Sequence, residues 1–80
     1  MFLMSENREY LINSEFVSRV HIEETSEKYS IIVIVSVGDN TSYTLRSLLY
    51  NENNKKSVKE EAKEYLRNLA NQINNKMYKV

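Results

Sequence analysis

Eighty residues leave room for one small domain and no second, and a core of that size buries little surface against a backbone-ordering cost of roughly 1–2 kcal/mol per residue. With no Cys and a single His, disulfides, thiolate metal sites and a zinc cluster are excluded as staples, which leaves self-association as the one such a chain can still use. Eleven basic and eleven acidic side chains cancel, so bulk charge does not point to nucleic acid or a membrane surface.

The charge is unevenly spread. Residues 1–40 carry three basic and seven acidic side chains, a net −4, and residues 41–80 carry eight and four, a net +4. Such a chain suits head-to-tail pairing with itself, or presentation of its C-terminal half to an anionic partner. The start, MFLMSENREYLI, has no basic n-region and its apolar residues are interrupted by Ser5–Glu9, so a signal peptide is not expected and a cytoplasmic location is. The longest apolar run, Ile31–Val35, falls far short of the roughly 20 residues that span a bilayer. Abundant Asn, Lys, Ile and Tyr with one Gly and no Pro point to an AT-rich genome, bacterial or phage.

In chain order, Phe2–Met4 and Tyr10–Ile12 flank a polar stretch and predict a small N-terminal hairpin within residues 1–13. Phe16–Glu23 alternates, with Phe16, Val20 and Ile22 on one face and Val17, Arg19, His21 and Glu23 on the other, a half-buried strand. Glu24–Lys28 turns the chain into Tyr29–Val37, the strongest strand signal because it is rich in β-branched residues. Gly38-Asp39-Asn40 tolerates positive φ and predicts a tight turn into a third strand, Thr41–Tyr50. In that strand Tyr43 and Leu45 share a face while Leu48 and Leu49 do not, so a bulge is expected.

Asn51–Lys56 has no apolar anchor and is expected to be a flexible loop. At Ser57 the period changes. Ser57-Val58-Lys59-Glu60 fits a capping box, and Val58, Ala62, Tyr65, Leu66, Leu69, Ala70 and Ile73 form one apolar stripe, predicting a helix over 57–73 that ends at Asn74-Asn75, with a frayed tail over 74–80. The expected fold is therefore α+β: an antiparallel meander of three to five strands, three of them within 16–50, with one C-terminal amphipathic helix on one sheet face.

Chemistry is poorly supplied. His21 lies among polar neighbours and reads as a surface residue, and Glu23-Glu24 and Glu60-Glu61 are neighbours whose side chains point apart. One Gly cannot build a phosphate loop. No enzyme activity, cofactor, metal or small-molecule substrate is expected.

The central strand is more informative, because Tyr29, Ile31, Val33, Val35 and Val37 fill one face and Ile32 and Ile34 the other. One helix covers one face. Ile32 and Ile34 then need the N-terminal hairpin, sheet curvature or another chain, and they are the expected contact surface of a non-enzymatic interaction or regulatory module, a homodimer or the partner of another protein.

The alternative is a nucleic-acid-binding module. Lys55 and Lys56 precede a flank with Lys59, Lys63 and Arg67 at four-residue spacing, and Arg46, Tyr43 and Tyr50 lie on the strand before it. Glu60, Glu61 and Glu64 interleave with these cations. Three strands followed by a lysine-opened helix resemble, over about residues 29–70, the C-terminal part of a double-stranded-RNA-binding domain, whose helix lysines contact phosphates. The chain departs from that family in lacking its first helix, its Gly-Pro-x-His loop and its Gly-rich approach to the lysines.

Overall fold

In the computed structural model, which describes residues 1–37, 39–73 and 78–79, two antiparallel sheets and one helix make an α+β fold. β1 (Phe2–Met4) pairs with β2 (Leu11–Asn13) as a separate ribbon, followed by a 3₁₀ turn at Ser14–Phe16. β3 (Val17–Glu24), β4 (Lys28–Val37) and β5 (Asp39–Leu49) form the meander, with β4 central. α1 (Lys55–Gln72) follows, and the backbone of β6 (Tyr78–Lys79) lies parallel to β3 at Val20 and His21. Gly38 and residues 74–77 and 80, and with them the turn apex, the Asn74-Asn75 helix end and most of the expected tail, lie outside the described residues.

β4 behaves as its residues demand. Tyr29, Ile31 and Val33 are buried on the face that α1 covers with Ala62, Leu66, Leu69 and Ala70, joined by Ile73 just beyond it. β-Branched side chains fit this pleated, packed surface, and the three- and four-residue spacing of the helix matches it.

Two bulges decide which side chains join that core. In β3 the pairing steps from Val17↔Val35 to Arg19↔Ile34, so Ser18 is the extra residue, and its hydroxyl donates to the Ile34 carbonyl at 3.2 Å. Strict alternation fails there. Val17 and Val20 both point into the core, while Phe16, expected inside, is exposed. In β5 the expected bulge is present: Ile31 pairs with Arg46 and Ile32 with Thr44, leaving Leu45 as the extra residue, buried in the core cluster with Leu48.

The helix starts earlier than the Ser57 capping box implied. Asn51–Asn54 is a side-chain-bonded turn in place of a slack loop: the Asn51 amide donates to Asn54 Oδ1 (2.7 Å) and the Asn53 amide to Asn51 Oδ1 (2.9 Å). That turn delivers the chain into a helix at Lys55, and Ser57, already inside the first turn, donates its hydroxyl to the Asn54 carbonyl at 3.3 Å.

The ribbon packs beside the helix, on the same side of the sheet. Leu3 and Ile12, a cross-strand pair, enter the core cluster. The Tyr10 ring meets that of Tyr43, the partner of Val33, at 5.2 Å, and the Glu6 amide donates to the Thr44 carbonyl at 2.8 Å. The opposite face, with Arg19, His21, Ile32, Ile34, Thr44 and Ser47, therefore has no layer of the described residues over it.

Candidate interaction surface

Cross-strand register fixes the two faces of the ribbon. Phe2 stands opposite Asn13, Leu3 opposite Ile12 and Met4 opposite Leu11, so burial of the middle pair turns Phe2, Met4 and Leu11 outward together. They are 62%, 53% and 63% exposed. Met1, Tyr10 and Phe16 at the borders are also about half exposed, and the one other large apolar side chain so exposed among the described residues is Leu49. Such clustering departs from the scattered exposed leucine of an ordinary surface.

The tip that joins β1 to β2 is held by its own polar groups. The Ser5 amide donates to the Tyr10 carbonyl (3.0 Å), the Arg8 amide to the Ser5 carbonyl (2.9 Å), and the Tyr10 amide to the Ser5 hydroxyl (3.1 Å). Arg8 sits at φ 61°, a left-handed position where a Cβ is unfavourable, and it is exposed. Leu3 and Ile12 anchor the other face, so the ribbon presents its apolar side as a backed surface.

Ile32 and Ile34, the contact surface expected from the sequence, are less exposed than the ribbon face. Ile32 is buried, with His21 and Thr44 beside it on the flanking strands, and Ile34 is half-buried next to Arg19 and Ser42. The hairpin, one of the three expected covers, lies on the other side of the sheet. His21, read as a surface residue, is half-buried, and His21 Nδ1, Arg19 Nε and Ser47 Oγ on this face are enclosed without a hydrogen-bond partner among the described residues.

The four lysines and Arg67 of the alternative lie on α1, most of them engaged, and Arg46 lies on β5. Lys55 pairs with Glu24 at 3.4 Å and stands 5.4 Å over the Tyr50 ring, Lys63 pairs with Glu60 at 3.8 Å, and Arg67 pairs with Glu64. Lys56 and Lys59 have no ion pair among the described residues. The two tyrosines are half-buried and engage other rings. Tyr43 lies against Tyr10, and Tyr50 packs on the buried Tyr29 ring at 4.7 Å while its hydroxyl donates to the Thr25 carbonyl. Arg46 stands over Tyr65, 5.5 Å from the ring centre.

An open groove of about 620 Å³ lies between the β3–β4 turn and the start of α1, lined by Glu24, Thr25, Ser26, Tyr50, Asn51, Glu52 and Lys55. Beneath it, burial pushes the Tyr29 phenol above its ordinary pKa and the Glu24 carboxylate adds to the rise, while Glu24 also raises the Lys55 ammonium. The groove's cation is already spent on Glu24. Among the described residues no three His, Cys, Asp or Glu side chains converge to hold a metal, and no helix is long and apolar enough to cross a membrane.

The outer face of the ribbon was missed in the sequence, although its signal was present. Phe2-Leu3-Met4 is apolar at every position, so a two-residue period leaves apolar side chains on both faces. No protein-family model, no curated protein and no solved structure matches this chain.

Proposed function

We propose that this chain is a small non-enzymatic interaction or regulatory module that engages another protein surface through the outer face of its N-terminal ribbon. The observation that carries this is the shared outward orientation of Phe2, Met4 and Leu11 on a ribbon anchored from behind by Leu3 and Ile12. An AT-rich bacterial or phage source, supported by the Lys-, Asn- and Ile-rich composition, and a cytoplasmic setting belong to the same proposal. Nucleic-acid binding through α1 has weaker support, since Lys55, Lys63 and Arg67 are paired with carboxylates and both tyrosines, half-buried, pack against other rings of the chain.

The test is affinity capture from the source cell with the wild-type chain, Leu11→Lys, and the double reversal Lys56→Glu/Lys59→Glu as baits. Leu11→Lys should release the protein that the wild type retains, whereas the double reversal should keep it. Retention unchanged by Leu11→Lys would sink the proposal.

A further inference from the structure

We infer that the partner surface is the same ribbon on a second copy of this chain, seated face to face about a two-fold axis with the tip of one ribbon over the base of the other. This rests on the interaction surface proposed above and names its occupant.

The apolar face is self-complementary along its length. Met4 and Leu11 form a cross-strand pair toward the tip, and Phe2 stands alone toward the base opposite Asn13. A two-fold rotation about the Leu3–Ile12 pair lays Phe2 of each copy over Met4 and Leu11 of the other, an aromatic ring against a thioether and a branched chain, made twice by one operation. Sheet faces pack about 10 Å apart, close enough for these side chains to interdigitate.

Charge selects this orientation. Arg8 lies at the tip, four residues before Ile12, and Glu15 lies at the base, three residues after it. Both are exposed, and neither has an ion pair among the described residues. Tip over base brings Arg8 of each copy to Glu15 of the other, whereas tip over tip crowds Glu6 and Glu9 of the two chains together. A net charge of zero leaves no long-range repulsion between copies. The exposed area of Phe2, Met4 and Leu11 is on the order of 350 Å² per chain, less than half the roughly 800 Å² per partner of a standard interface, so a weak, reversible dimer populated at about high micromolar concentration follows.

The experiment is sedimentation equilibrium of the full chain over low to high micromolar concentration, with Arg8→Glu, Glu15→Arg, their combination, and Leu11→Lys. The wild type should dimerise, Leu11→Lys should remain monomeric with an unchanged circular dichroism spectrum, and each single reversal should weaken the dimer about tenfold, since each removes two exposed ion pairs. Combining the reversals should restore the wild-type constant. Failure of that restoration overturns the tip-over-base arrangement, and a wild type that stays monomeric at high micromolar concentration overturns the second copy as occupant. In the latter case capture that Leu11→Lys still abolishes leaves the surface with a foreign partner, whereas capture indifferent to Leu11→Lys removes the surface itself.

Discussion

Leu66 and Leu11 are the same side chain in opposite surroundings, and replacing each by Ala separates the packed core from the exposed face of the ribbon. Leu66 is fully buried between α1 and the sheet, so Leu66→Ala loses its transfer energy and leaves a cavity, together about 2–5 kcal/mol. At roughly 0.05–0.15 kcal/mol per residue, a chain of 80 residues has about 4–12 kcal/mol to lose. The substitution should lower Tm by roughly 8–40 °C, at about 4–8 °C per kcal/mol for a domain this size. Leu11→Ala, at a site 63% exposed, should cost less than about 0.5 kcal/mol in the isolated chain. Thermal unfolding followed by far-ultraviolet circular dichroism at low micromolar concentration measures both. At high concentration the wild-type Tm should climb as copies associate, and Leu11→Ala should erase that climb by mass action. A Leu11→Ala loss at low concentration comparable with that of Leu66→Ala would refute the assignment, because it would mean that the outer face of the ribbon is packed within the chain.

Alkaline pH supplies a second check. Tyr29 is raised from 10.0, chiefly by burial, and Lys55 from 10.5, chiefly by Glu24. Both folded pKa values lie above the unfolded ones, so their stabilisation is complete below the unfolded pKa and is lost as pH rises through the folded pKa. Urea midpoints should therefore hold steady from pH 7 to about pH 9.5 and fall above about pH 10, less steeply in Tyr29→Phe; a fall identical in that variant would remove Tyr29 as a cause. For nucleic acid, titration of DNA and RNA oligonucleotides at two salt concentrations should find nothing tighter than the roughly 10⁻⁴ to 10⁻⁶ M range of nonspecific binding at physiological salt. Submicromolar, salt-steep binding abolished by Lys55→Glu/Lys56→Glu/Lys59→Glu would reinstate the basic flank of α1.

The elements of this fold are written in local periodicity. Tyr29–Val37 alternates β-branched and aromatic side chains densely enough to be a central strand, and residues from Val58 to Ile73 repeat at the helical period, so the α+β architecture and the helix-bearing face follow from neighbours in sequence. Tertiary structure decided what local pattern cannot carry. One extra residue at Ser18 turns Val17 into the core, its placement depends on pairing with Ile34 and Val35, and Phe16 is left out in the 3₁₀ turn before the strand. The helix start at Lys55 depends on how Asn51 and Asn54 bond each other once the chain leaves β5. The exposed apolar side chains lie elsewhere than expected for the same reason. Ile32 is buried with His21 and Thr44 beside it on flanking strands, which sequence does not place there, while Phe2, Met4 and Leu11 are turned outward because Leu3 and Ile12 enter the core cluster.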